Sequence, residues 1–279
     1  MLKANYIFKS GYFQNALKSP YSIKLFLEDE FVTLIGSTSP QNTLFYFANY
    51  NFYINKQFSF GKILFEILAP LTNSNFDLSQ LKAITIPSIF LISKKPAEFA
   101  EAKKYISNEF ELIGEQNNGF SNLVEELDAE RILASLVEKN SLETLEQFCA
   151  YDGLNSHIKT IYNSRPFLKD KTQLIIYFYQ KNCIVYLFKE GRICFTNSYS
   201  ANDYVNLAYQ VLNIKTTFKL SEEVELICLG QGEEWAQFNE LLKENFKSIS
   251  FSFSGQLPSV PPAWDHSLFD SAKLAAYFI

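Results

Sequence analysis

Glycine is scarce in this sequence: 279 residues contain 10, against 27 Phe and 16 Tyr. Few glycines leave few loops in which backbone can close on a phosphate. Histidine is scarcer still, with His157 and His266 alone, and Cys149, Cys183, Cys194 and Cys228 form no CxxC pair. No metal-ligand spacing emerges from these six residues, so no metal site is expected. The four cysteines read as reduced, mostly buried thiols of a cytoplasmic protein. No Lys/Arg run exceeds Lys94-Lys95, and 25 Lys+Arg against 30 Asp+Glu give a net charge of −5. Nucleic-acid binding needs a basic footprint that releases counterions, and none is present. Met1 to Phe13 mixes Lys, Asn, Ser and Gly and has no apolar signal core. The longest apolar stretches, such as Cys183 to Phe188, are far too short to span a bilayer. The GxxxxGK(S/T), HExxH and GxSxG signatures are all missing.

What the sequence does have is sheet. An apolar fraction of 47% with 20% charged residues describes a globular chain with a sizeable core, and aromatic abundance favours strands. Tyr21–Leu27, Phe31–Ile35 and Thr43–Phe47 read as a three-stranded meander, broken at Glu28-Asp29-Glu30 and at Gly36–Pro40. A helix follows at Phe60–Leu68, then a strand at Ile84–Ile92 with Pro87 marking an edge or bulge, then a helix opened by Pro96 and running through Ile106.

The second half repeats the order. Gln173–Tyr179, Cys183–Phe188 and Arg192–Thr196 are strands separated by Gln180-Lys181-Asn182 and by Lys189-Glu190-Gly191. A helix at Asp203–Leu212, a strand at Val224–Leu229, a helix at Glu233–Phe246, a strand at Ile249–Phe253 and a helix at Asp265–Tyr277 complete the pattern β-β-β-α-β-α-β-α. Matching elements lie about 150 residues apart at the first strand and about 136 at the second helix, too long for a solenoid repeat. The expected domains are residues 1–165 and 166–279. Glu125–Phe148 has the propensity of one helix. The repeat instead asks for a strand around Ile132–Val137, a break at Lys139-Asn140 and a helix capped by Ser141.

A duplicated unit of this order resembles the halves of the actin, sugar kinase and Hsp70 superfamily, each of them ribonuclease-H-like. Ser22–Phe31 and Lys189–Asn197, running into Ala201–Tyr204, are also similar to a bacterial family of unknown function with an actin-like ATPase fold. The resemblance covers Tyr21 to Phe253 and implies a two-lobed α/β architecture. It also implies where ATP and Mg²⁺ would sit: each first hairpin would carry an Asp-x-Gly-(Ser/Thr) phosphate loop, and a Gly-rich loop would follow the fourth strand of the second half.

The residues meet those requirements only in part. Asp29 could serve Mg²⁺, but its turn has no Gly, and Glu28 and Glu30 would repel a polyphosphate. Lys181 and Asn182 occupy the second turn, again without Gly. Gly230 and Gly232 stand where the adenosine loop would be, opening a helix. Polar residues that merely end strands are the readier account of both turns. No residue is assigned a catalytic role. His157 reads as structural for want of a partner nucleophile, Asp265 beside His266 as a cap, and Glu125, Glu126, Asp128 and Glu130 as a wet surface. The expectation is a degenerate ATPase that needs no cofactor and works by binding a protein partner. The alternative is a weak ATP- and Mg-binding protein with altered phosphate loops. Gly255–Trp264, with Pro258, Pro261 and Pro262, reads as a connector that wraps back before the last helix, the alternative being a partner-binding surface.

Overall fold

The computed structural model describes residues 6–11, 13–16, 18, 20–27, 31–39, 43–51, 60–72, 77–78, 81–85, 90–94, 120–149, 153–163, 171–179, 181–230, 235–250 and 259–264. The chain divides into two compact units, Met1–Thr160 and Ile161–Ile279.

The first unit begins with β1 (Tyr6–Lys9) and a single turn, α1 (Phe13–Ala16). The meander follows as β2 (Tyr21–Leu27), β3 (Phe31–Thr38) and β4 (Leu44–Asn51). After it come α2 (Phe60–Thr72), β5 (Leu81–Thr85), β6 (Phe90–Lys94), β7 (Phe120–Glu126), β8 (Arg131–Glu138), α3 (Lys139–Phe148), β9 (Leu154–Ser156) and α4 (His157–Asn163), which crosses the boundary between the units. The main sheet has the order β1-β4-β3-β2-β5-β9. Within it β2, β5 and β9 are parallel, while β1, β3 and β4 are antiparallel to their neighbours. Alternation puts Ile23, Leu25 and Leu27 of β2 on one face, where they join Leu64 and Leu68 of α2 and Leu145 of α3 in the core. The two helices touch closely. A Cβ on Gly61 would lie 2.4 Å from the Asn140 carbonyl oxygen, so only glycine fits at that crossing.

The second unit is simpler: β10 (Gln173–Tyr179), β11 (Asn182–Lys189), β12 (Arg192–Ser200), α5 (Tyr204–Thr217), β13 (Glu225–Gly230), α6 (Trp235–Leu242) and β14 (Ser248–Ser250). Its sheet order, β12-β11-β10-β13-β14, repeats β4-β3-β2-β5-β9 with the same directions. Glu190 and Gly191 both take positive φ, 50° and 71°, in the two-residue turn joining β11 to β12. That backbone twist matches paired strands, which is why a Gly stands there. Asp203 caps α5, its carboxylate accepting from the Val205 and Asn206 amides at 2.9 and 3.1 Å. Leu207, Ala208, Val211 and Ile214 of α5 close over Leu174, Ile176 and Phe178 of β10.

Two sequence readings need correction. Ile84–Ile92 is not one strand: β5 belongs to the main sheet, whereas β6 pairs antiparallel with β8 in a separate three-stranded sheet, β6-β8-β7. Pro87 and Ser88 interrupt the apolar run just after β5, and the break read as an edge or bulge coincides with the change of sheet. The strand at Ile132–Val137 and the helix after it are present, but the strand, β8, is not the fifth strand of the repeat. That position belongs to β9, parallel to β5 as β14 is to β13. α3 therefore matches α6, and residues 86–138 fill an interval that residues 231–234 span in the second unit. Nor is Ser141 the cap. Glu138, held in an extended conformation at the end of β8, turns its carboxylate back to accept from the Ser141 amide at 2.9 Å and from the Ser141 hydroxyl. The helices expected at Pro96–Ile106 and Asp265–Tyr277 lie outside the described residues.

Candidate functional site

In open α/β sheets ligands gather beyond the carboxyl ends of parallel strands. In the second unit β10 and β13 end together, with Phe178 in register with Gly230. One step further, Tyr179 pairs with Asn182 across the turn that holds Lys181. The parallel register therefore brings Lys181, Asn182 and Gly230 to one end of one sheet. Lys181 is exposed, and its carbonyl accepts from the Ala201 amide at 2.7 Å, fastening the end of β12 to the turn. Asn182 is half-buried at the start of β11. Gly230 has φ 92°, and a Cβ there would stand 2.0 Å from the Phe178 carbonyl oxygen. Its glycine is required by backbone approach to β10, irrespective of any ligand. Asp29 and Gly232 lie outside the described residues.

The equivalent end of the first unit is built differently. Leu27, Thr85 and Ser156 are in register at the ends of β2, β5 and β9, and α4 starts at the next residue. The Ser156 hydroxyl accepts from the Lys159 amide at 3.2 Å and so caps α4. The Ser156 amide is taken by Glu125 of β7, whose two carboxylate oxygens each lie 3.1 Å from it. Glu125 is 8% exposed. Burial raises its pKa, opposed by the Ser156 hydrogen bonds and the Lys159 charge. Glu125 is thus no part of a wet surface, as its acidic neighbours in sequence suggested. Asp128 behaves differently: it organises the β7–β8 turn, accepting from the Glu130 and Arg131 amides and pairing with the Arg131 guanidinium at 2.6 Å.

His157, the first residue of α4, is fully buried, and burial brings its pKa down to about 3. It is neutral at physiological pH. Lys24 of β2 lies in register with Lys82 of β5. Burial, with the Lys82 charge adding, brings the Lys24 ammonium down to about 8 from its ordinary 10.5. Charging it in the folded state costs stability fully below pH 8, and the cost disappears as pH rises to 10.5. Relative to wild type, Lys24→Met is expected to gain about 2.5 kcal/mol of stability on going from pH 10 to pH 7. Denaturant titrations at the two pH values read the difference, and an equal gain at both would reject this account.

Burial raises the thiol pKa of Cys149 to about 11 and of Cys183 to about 12, and Cys228 is also raised. These groups are poor nucleophiles. Cys194 is exposed, and none of the four is in a disulfide. Among the described residues no group of three or more His, Cys, Asp or Glu is placed to hold a metal ion, and no helix is long and apolar enough to cross a membrane.

No family model and no curated protein matches the chain. Solved structures do. One is a protein from Bacteroides thetaiotaomicron with actin-like ATPase fold and unknown function, with 12% identity and a TM-score of 0.63 over 96% of this chain and 99% of that one. Another is a chain of the PilM–PilN type IV pilus biogenesis complex, also with 12% identity and a TM-score of 0.63, over 92% of this chain and 96% of that one. The chain has the actin-like ATPase fold, and the five strands of its second-unit sheet repeat the order of five of the six strands in the first.

Proposed function

We propose that this protein is a non-catalytic member of the actin-like fold that acts by binding another protein, and that it needs neither ATP nor Mg²⁺. The observation that carries this reading is Glu125. Its carboxylate occupies the Ser156 amide where the parallel strands of the first unit end and α4 begins. A phosphate brought there would meet a carboxylate and displace a buried hydrogen bond, the reverse of the cradling that phosphoryl transfer requires. Glu28, Asp29 and Glu30 add three acidic residues in the sequence between β2 and β3. A partner-binding role is supported by the matched chain of the PilM–PilN complex, a likeness of fold that transfers no residue.

A second reading, a weak ATP-binding protein, draws on the convergence of Lys181, Asn182 and Gly230 at one sheet end. Thermal unfolding with and without millimolar Mg-ATP separates the two. The proposed function expects an unchanged midpoint and no phosphate release. A ligand present at a hundred times its dissociation constant would add about 2.7 kcal/mol. A shift of several degrees that Asp29→Ala abolishes would replace the first reading with the second.

A further inference from the structure

The two sheets differ at one edge. In the first unit the outer edge of β4 is covered by β1, which pairs antiparallel from Tyr6 opposite Asn49 to Lys9 opposite Tyr46. The matching strand of the second unit is β12. Among the described residues no strand pairs with its outer edge. Open edges are ordinarily blunted by shortness, proline, or a lysine placed to repel a neighbour. β12 has none of these devices: it runs nine residues, contains no Pro or Lys, and its one charge is Arg192 at the start. From Cys194 to Ser200 it is uncharged, and among the described residues no strand takes up the main-chain donors and acceptors of its outer edge.

We propose that this edge joins a second copy of the same chain, β12 lying antiparallel to its counterpart about a two-fold axis at Asn197, so that the second-unit sheets become continuous. The stretch is self-complementary in that register. Phe195 stands opposite Tyr199, Thr196 opposite Ser198, and Cys194 opposite Ser200, with no like charges opposed. Phe195 and Tyr199 both pack on the core beneath α5 and α6, so the aromatic pairs formed twice across the axis extend that core. An uncharged strand offers little for an acidic or basic foreign strand to recognise, whereas its own sequence matches it at every position between Cys194 and Ser200. β1 on β4 is the same kind of addition made within one chain.

Sedimentation or light scattering of the intact chain tests the proposal. The mass is expected to move from 32.1 kDa toward twice that value as concentration rises through the tens of micromolar. Asn197 is exposed, so Asn197→Lys keeps the fold while setting two ammonium groups face to face at the axis. It is expected to weaken dimerisation by about tenfold or more and to leave the unfolding midpoint of the monomer unchanged. Asn197→Cys places two thiols opposite each other at a spacing compatible with a disulfide, and mild oxidation should give a cross-linked dimer. A monomer at every concentration, or a dimer that Asn197→Lys leaves equally tight, overturns the proposal. So does protection of the outward β12 amides from hydrogen exchange in dilute monomer, because the edge would then be covered within one chain.

Discussion

Acidification from pH 7 to pH 4.5 is expected to narrow the stability gap between the wild-type protein and a His157→Gln variant by about 2.5 kcal/mol. His157 is fully buried, and its folded pKa of about 3 lies far below the ordinary 6.5. The unfolded chain takes up a proton below pH 6.5 that the folded protein refuses until near pH 3, so wild-type stability falls across that window. The glutamine variant carries no such cost. Comparing the two proteins isolates the histidine from Glu125, whose raised pKa works the other way. A carboxyl group that holds its proton more firmly when folded loses stability as pH rises past its unfolded value, and regains it on acidification. Urea titrations of both proteins at several pH values are sufficient. Parallel stability curves would show that acid reaches His157 without unfolding the chain, and the burial account would fail.

The second large effect concerns Gly230. Gly230→Ala is expected to cost about 3 kcal/mol or more, from a side chain forced into positive φ together with overpacking. The added methyl would stand 2.0 Å from the Phe178 carbonyl oxygen, and backbone has little freedom to yield between two central parallel strands. Thermal unfolding of the variant reads the cost without any ligand. A variant as stable as wild type would free Gly230 from its structural duty and strengthen the case for a nucleotide loop at the end of β13. A large loss explains the glycine by packing alone, and the Gly-x-Gly pattern then ceases to argue for ATP.

Much of the fold was legible because hairpins advertise themselves. Alternating β-branched and aromatic runs, interrupted by short polar turns, located β2, β3, β4, β10, β11 and β12, and the Glu190-Gly191 turn carries the residue that its positive φ demands. A helix at Asp203–Leu212 was equally plain, although Asp203 caps α5 and is not part of it, and the helix runs on to Thr217. Long-range placement was another matter. Pro87 marked a break within Ile84–Ile92, but a local break does not say that β5 and the half-buried β6 join different sheets. The inserted sheet displaced the repeat register, so the second helix of the first half was sought near Pro96 when its counterpart is α3. The candidate site was harder still. Glu125 sits among Glu126, Asp128 and Glu130 and looks like surface charge. Its partner, Ser156, is 31 residues away and bonds through a main-chain amide that has no sequence signature. One available sign was the pairing of Ser156 with His157 at the start of a short helix, where a spare amide must find an acceptor.

The Glu125 bond also makes one proton unusually informative. β9 is held to β5 by the ladder, but the Ser156 amide is held by a side chain from the three-stranded insert. Exchange at that amide therefore follows departures of the insert from the main sheet, while exchange at the buried amides of β2 and β5 follows opening of the sheet itself. A single backbone position thus distinguishes local detachment of residues 120–138 from loss of the whole unit, with no label or added probe.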